Sequence, residues 1–264
     1  MSESILDLPP PPANVRIGYG PDPLHVADLR LPKGPGPYPC VIAIHGGFWR
    51  NRYDLAHLGH LCAALTEAGI ATWNIEYHRA GDPGGGWPGT FHDVTRAARH
   101  LVAIAPRHRI DPDRLIVLGH SAGGQLASWL ACMAAVSESS EIRGDPLPLR
   151  GAVTLAGVLD LRLAFDLGLS DGAVRDFLGG APDEVPERYA AASPAELTPL
   201  AIPHLLAHGG RDETVPPEMS TRVHAASPEV STLLTFPRAG HFDLIDPRAV
   251  TWLDLLAAIL AIST

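Results

Sequence analysis

Short apolar runs alternate with helix-forming segments through most of the chain, and this alternation restricts the fold more than any other feature. The run 40–44 contains no charged residue and ends at His45-Gly46-Gly47, as expected of a strand that is buried on both faces. Repeated strand and helix units predict an α/β fold with a mostly parallel, doubly wound sheet in one domain, 1–264. Strands are predicted at 15–19, 25–31, 40–44, 70–77, 114–118, 152–155, 204–207 and 232–236, and helices at 58–68, 90–105, 122–136, 217–226 and 249–262.

One interval departs from this alternation of strands and helices. Residues 158–203 are too many for a simple crossover between neighbouring strands, and they contain helical patterns at 174–178 and 186–192. We interpret this interval as a small cap insertion lying over the functional site.

Composition excludes several classes of partner. The chain has 29 acidic and 20 basic residues, a formal net charge of −9, and no cluster of lysine and arginine, so we expect neither nucleic acid nor an anionic membrane as a partner. Residues 1–13 lack the pattern of a signal peptide, and no apolar run reaches the roughly 18 residues of a membrane span. A cytoplasmic protein is the expectation. Cys40, Cys62 and Cys132 form no CxxC pair and are expected to be buried thiols.

The strongest local motif is Gly119-His120-Ser121-Ala122-Gly123, placed between a predicted strand and a predicted helix. A G-x-S-x-G sequence in this position is typical of a sharp turn that projects the serine hydroxyl above the sheet, with glycines where side chains would clash. The sequence therefore predicts Ser121 as a nucleophile.

A nucleophilic serine that attacks an acyl carbon needs backbone N–H donors for the oxyanion. His45-Gly46-Gly47-Phe48-Trp49 follows an upstream strand and is a candidate for that role, together with the amide of Ala122 after the nucleophile. The glycines allow the main chain to turn its amides inward. The two motifs support one another.

The base and the acid are expected later in the chain. His241 stands between the last predicted strand and the last helix, and Asp212 follows the preceding strand, which gives the order Ser, Asp, His. Asp212 would hold the imidazole tautomer and stabilise the imidazolium. Asp160, which follows an earlier strand, is the competing candidate for the acid.

At these residues the sequence resembles the α/β-hydrolase superfamily along essentially its whole length. The stretch 45–49, Glu76-Tyr77 followed by Arg79, and the run 119–124 are similar to bacterial esterases related to kynurenine formamidase, to carboxylesterase and feruloyl-esterase-like hydrolases, and to prolyl-oligopeptidase-type catalytic domains. Phe48 replaces the third glycine of hormone-sensitive-lipase-like esterases, and Arg50 stands where the formamidases usually have a polar amide. By this resemblance Gly47 and Phe48 would donate their amides along with Ala122.

The resemblance implies hydrolysis through an acyl-enzyme, without cofactor. No histidine or cysteine spacing in the sequence is typical of a metal site. The expected partners are a small acyl substrate and water. A carboxylic ester is the expected substrate; an arylformamidase or other small amidase and a non-catalytic binding protein on the same fold are the alternatives. Trp49 and Trp87 are expected to contribute to the substrate pocket. The sequence leaves the oligomeric state open, a homo-oligomer included.

Overall fold

The computed structural model describes residues 5–263, and a single eight-stranded sheet runs through this part of the chain. The strands are β1 Val15–Gly18, β2 Val26–Arg30, β3 Tyr38–Ile44, β4 Ala71–Ile75, β5 Ile110–His120, β6 Leu149–Leu155, β7 His204–Gly209 and β8 Ser231–Phe236. Their order across the sheet is β1-β2-β4-β3-β5-β6-β7-β8. The pairs β1/β2 and β2/β4 are antiparallel and the other five are parallel, which confirms the predicted α/β fold. Residues 1–4, part of the segment used for the signal-peptide expectation, lie outside the described residues.

Helices cover both faces of the sheet. They are α1 Gly59–Glu67, α2 Gly89–Ile104, α3 Ala122–Ala131, α4 Leu161–Asp166, α5 Leu169–Leu178, α6 Pro186–Ala192, α7 Glu218–Ala226 and α8 Trp252–Ser263. Alternation along β3 divides the core: Val41 and Ala43 belong to the apolar cluster shared with α1 and α8, whereas Ile42 and Ile44 belong to the cluster shared with α2 and α3. Parallel strands buried in this way bring their carboxyl ends to one edge, where the loops after β3, β5, β7 and β8 gather. Within residues 5–263 no helix combines the length and the apolar character needed to cross a membrane.

The interval between β6 and β7 contains α4, α5 and α6, and we refer to residues 158–203 as the cap segment. The sequence patterns predicted the last part of α5 and the whole of α6 but missed α4. That helix has only six residues and begins where the Asp160 side chain accepts a hydrogen bond from the amide of Leu163. Such a short helix depends on its cap and its packing rather than on periodicity.

Candidate active site

Ser121 stands at a strained turn between β5 and α3. Its backbone has φ 57° and ψ −121°, a conformation that few residues other than glycine adopt, and its side chain is buried. The flanking glycines make the turn possible: a Cβ on Gly119 would lie 1.9 Å from the carbonyl oxygen of Gly123, and one on Gly123 would lie 2.1 Å from that of Ile44. These contacts are with backbone atoms, so neither position has room for a side chain. The motif therefore fixes the conformation of Ser121.

The loop after β3 lies directly against this turn. A Cβ on Gly46 would be 3.0 Å from the Cβ of Ser121. The next residues turn sharply, with φ of 111° at Gly47, 50° at Phe48 and 56° at Trp49. Left-handed backbone at two successive non-glycine residues costs about 1–2 kcal/mol at each, so the surrounding structure must hold it.

Three backbone amides in this region lack a protein acceptor. In the hydrogen bonding of residues 5–263, neither the amide of Gly47 nor that of Phe48 has a partner, and the amide of Ala122, at the first position of α3, has none either. These are the three amides expected from the sequence. An oxyanion beside Ser121 would supply the acceptor that they lack.

A buried polar network holds the start of the loop after β3 in place. His45 Nε2 lies 3.0 Å from Glu76 Oε1, and the hydroxyl of Tyr77 donates to the carbonyl oxygen of His45 over 2.8 Å. Burial by itself raises the pKa of Glu76, but the hydrogen bond with His45 and the charge of Arg79 bring that pKa below its usual value. The carboxylate therefore stays charged and holds the start of the loop after β3. The pair Glu76-Tyr77, noted in the sequence for its family resemblance, therefore supports the loop that begins at His45.

Asp212 and His241 are joined by a short hydrogen bond. Asp212 Oδ2 lies 2.7 Å from His241 Nδ1, and Oδ1 accepts the amides of Thr214 and Val215 over 2.9 and 2.8 Å. Burial raises the pKa of the Asp212 carboxyl, but hydrogen bonds from His208, His241 and the amide of Val215 lower it well below its usual value. The carboxylate is therefore ionised and accepts the Nδ1 proton, which leaves Nε2 of His241 free to take a proton.

The competing acid is used elsewhere. Asp160 accepts the amide of Leu163 over 3.0 Å with one carboxylate oxygen and pairs with Arg222 over 3.0 Å with the other. It caps α4 and binds an arginine of α7. The geometry accordingly favours Asp212 as the partner of His241.

Ser121 and His241 line one cavity of about 460 Å³ at the carboxyl edge of the sheet. Within residues 5–263 the Ser121 hydroxyl makes no hydrogen bond to the imidazole, a contact that commonly tightens only when substrate is bound. The wall combines apolar and aromatic surface with polar groups. Its members are Gly47, Phe48, Arg52, Tyr53, His57, Ser121, Leu167, Gly168, Leu169, Ser170, Glu213, Thr214, His241 and Phe242.

The expectation that Trp49 lines the pocket is wrong. Its side chain is fully buried, donates to Gln125 Oε1 over 3.0 Å, and stacks on Phe177 with ring centroids 4.5 Å apart. Trp87 is also absent from the cavity wall; it packs against Phe91 and donates to Glu141 Oε1 over 3.2 Å. Both tryptophans join the loops and the cap segment to the core.

Two histidines that the sequence analysis did not select connect the turn at Ser121 to the loop that carries His241. His120 Nε2 lies 3.1 Å from the carbonyl oxygen of His241, and His120 Nδ1 lies 2.8 Å from His57 Nε2. A carbonyl oxygen only accepts, so His120 donates from Nε2. Burial holds the pKa of His120 well below its usual value, so the ring is neutral and its Nδ1 accepts from His57. This chain of hydrogen bonds fixes the backbone of the loop that carries His241.

The His57 ring gives a prediction about acid stability. Burial foremost, with the neighbouring His45 and His241, lowers the pKa of His57 from 6.5 to about 3. The unfolded chain therefore binds a proton below pH 6.5 that the folded chain does not, and stability is lost as pH falls towards 3. His57→Gln should make the dependence of the unfolding free energy on pH shallower in this range by about 1 kcal/mol per pH unit.

Urea unfolding at a series of pH values measures this slope. The matched control is His92→Gln, at an exposed histidine of α2, which should leave the slope unchanged. An unaltered slope in the His57 variant would show that His57 is not held neutral.

A second cluster of titratable groups lies away from the cavity. His25, His78 and Asp93 offer ligand atoms within 4.8 Å of one another and are the one group within residues 5–263 that could hold a metal ion. His25 Nε2 and His78 Nδ1 are 2.8 and 2.6 Å from the two carboxylate oxygens of Asp93. At these distances both imidazoles hydrogen-bond the carboxylate, which joins the loops flanking β2 and β4 to α2.

Comparison with known proteins places the chain among hydrolases. Residues 27–226 match the family model BD-FAE. The kynurenine formamidase avaC of Aspergillus versicolor is 30% identical over 254 residues, which is 80% of this chain and 85% of that protein. The uncharacterized peptidase YuxL of Bacillus subtilis (strain 168) is 27% identical over 79% of this chain, which spans only 32% of the length of that relative.

Among solved structures, esterase B from Lactobacillus rhamnosis superposes with a TM-score of 0.81 at 21% identity, over 99% of this chain and 90% of the other. This likeness establishes the fold, with its sheet and the loops at its carboxyl edge. The family model covers most of the chain and includes both the loop after β3 and the turn at Ser121. The chain therefore belongs to the BD-FAE family and has the α/β-hydrolase fold.

Proposed function

We propose that this protein is a serine hydrolase that cleaves small carboxylic esters through an acyl-enzyme. The observation that carries the proposal is the 2.7 Å hydrogen bond between Asp212 and His241 at the cavity that Ser121 also lines. This arrangement fits a nucleophile, a base and an acid acting as one unit. The membership of the BD-FAE family and the esterase fold neighbour agree with it.

In the first step, His241 Nε2 accepts the proton of the Ser121 hydroxyl as the serine oxygen bonds to the acyl carbon. The negative charge moves to the carbonyl oxygen, which the amides of Gly47, Phe48 and Ala122 would bind. Each such donor commonly contributes about 2.7–4 kcal/mol to the stability of the transition state. His241 then gives the proton to the departing alkoxide, and the ester C–O bond breaks.

In the second step, water attacks the acyl-enzyme. His241 takes a proton from the water and returns it to the Ser121 oxygen as the bond between serine and acyl group breaks, and the carboxylic acid leaves. Asp212 remains ionised throughout and stabilises the imidazolium that forms in both steps. No group other than water and these side chains is needed to balance the reaction.

A formamidase is the second candidate, and one observation favours it. The relative avaC, described as a kynurenine formamidase, matches 80% of this chain with 30% identity. The same catalytic groups could attack a formyl carbon. The cavity of about 460 Å³ accommodates either a small ester or an aryl formamide, so its size does not separate the two.

Turnover of p-nitrophenyl esters of graded chain length, compared with N-formylkynurenine, separates the candidates. We expect the protein to hydrolyse the short esters with a kcat/KM at least about tenfold above that for the formamide. Preference for the formamide would assign the protein to the second function. If a folded protein turned over neither substrate, the ester proposal would be wrong and the binding-protein alternative would be favoured.

A further inference from the structure

One wall of the cavity is formed by a strained segment of the cap. Leu167, Gly168, Leu169 and Ser170 all line the cavity, at the junction of α4 and α5. Ser170 has φ 50° and ψ 51°, and Asp171 has φ 54° and ψ 47°. They lie between Gly168 and Gly172, which also have positive φ. Left-handed conformations at two adjacent non-glycine residues persist only when other contacts stabilise them.

Arg50 supplies those contacts. Its Nη2 donates to the carbonyl oxygen of Ser170 over 2.7 Å and approaches that of Asp171 at 3.4 Å, while Nη1 pairs with Asp176 Oδ2 over 3.2 Å. One guanidinium therefore binds the turn and the helix that follows it. Hydrogen bonds from a charged donor are about twice as strong as neutral ones, and the planar guanidinium fixes the direction of both.

The same arginine belongs to the loop after β3, residues 45–50, which contains the predicted oxyanion donors and is called the oxyanion loop below. Arg50 follows the predicted oxyanion donor Phe48 by two residues. Its backbone amide donates to the carbonyl oxygen of Gly47 over 3.0 Å. Beside it, the indole of Trp49 stacks on Phe177 of α5 with an angle of 5° between the rings. Trp49 thus contacts the helical body of α5, and Arg50 contacts the left-handed turn at Ser170 and Asp171 that precedes it. The oxyanion loop and the wall at 167–170 are connected through these two neighbouring residues.

From this connection we propose that Arg50 is a positioning residue that sets substrate size by holding the 167–170 wall against the cavity. The inference rests on the proposed esterase function and adds to it the residue that selects chain length. Arg50 does not line the cavity itself, so its effect passes through the wall residues, which include Leu167 and Leu169. The acyl or alkyl chain of the ester packs against that wall.

The test compares Arg50→Met with the wild type on two ester series. The first is p-nitrophenyl acetate and butyrate, which varies the acyl chain, and the second is ethyl and butyl acetate, which varies the alcohol. Each methylene that loses contact with the wall costs about fourfold in kcat/KM. In one series, the ratio of kcat/KM between the longer and the shorter ester should fall by up to about fifteenfold, because the KM for the longer ester rises. The kcat for p-nitrophenyl acetate should change less than about threefold.

Three variants control for general effects on stability or charge. Arg50→Lys keeps one charged donor and should restore part of the lost ratio. Asp176→Asn weakens the exposed ion pair but leaves the carbonyl contacts, so its ratio should fall by less than that of Arg50→Met. Arg175→Met removes an exposed ion pair with Glu184 on the same helix and should have no effect.

Amide hydrogen exchange provides a readout that does not need turnover. Arg50→Met should speed exchange at residues 167–172 by about tenfold or more, whereas Arg175→Met should not. Unchanged ester ratios in both series, or an equal loss of kcat on every ester, would overturn the proposal about Arg50. If the wild type lacked Ser121-dependent turnover, the esterase function would fail, and unchanged exchange at 167–172 would then overturn the positioning role separately.

Discussion

Ser121→Ala should lower kcat for p-nitrophenyl acetate by about a millionfold while the protein folds as the wild type does. The loss is large because the serine, base and acid act as a unit, so removal of the nucleophile leaves only binding and the oxyanion donors. Stability should change little, since within residues 5–263 the Ser121 hydroxyl has no hydrogen-bond partner that the substitution would leave unsatisfied. Serine and alanine should pay about the same conformational cost for the backbone φ of 57° at position 121.

Stopped-flow and steady-state rates measure the loss, and urea unfolding checks the fold. The unfolding free energy of the variant should lie within about 0.5 kcal/mol of the wild type. A variant that folds normally and retains more than about one-hundredth of the wild-type kcat would exclude Ser121 as the nucleophile.

Asp212→Asn should lower kcat about ten-thousandfold, although the two side chains have almost the same shape. Asp212 Oδ1 accepts two backbone amides, so the single oxygen of asparagine should take that place and its NH₂ group should face His241 Nδ1. Facing a donor, Nδ1 must accept, and the proton of the neutral ring moves to Nε2. In that tautomer His241 cannot take the proton of Ser121.

The matched control is Asp160→Asn, which changes the competing carboxylate in the same way. Asparagine is as good a helix cap as aspartate, and the pair with Arg222 is partly exposed, so kcat should change less than about threefold. Equal losses in the two variants, or a greater loss in Asp160→Asn, would contradict the assignment of Asp212.

The sequence predicted those parts of the site that depend on local backbone geometry. Gly119 and Gly123 have no room for a Cβ, so the residue pattern and the turn at Ser121 follow from one another. The order of the strands likewise brings Asp212 and His241 to the same edge of the sheet, and a 2.7 Å contact joins them. Their catalytic roles stay predictions until the variants are measured.

Other parts could not be predicted because they depend on tertiary contacts. Trp49 follows a residue with φ 50° and itself has φ 56°, and nothing in the local pattern indicates that its indole stacks on Phe177, which is 128 positions further along the chain. His57 belongs to a short 3-10 helix, and only the folded chain brings it to the cavity wall and within 2.8 Å of His120. His120 itself lies within the motif and could have been considered. The turn at Ser170 accepts a hydrogen bond from Arg50, a contact between distant segments.

The central claim is that Ser121 is a nucleophile activated in a hydrolase site, and reaction with a fluorophosphonate followed by peptide mass spectrometry tests it most directly. Treatment of the wild type should give one covalent adduct per chain, located on the peptide that contains Ser121, and should abolish ester hydrolysis in proportion to labelling. Ser121→Ala should remain unlabelled. An adduct on another residue, or a folded protein that hydrolyses esters without being labelled at Ser121, would contradict the account.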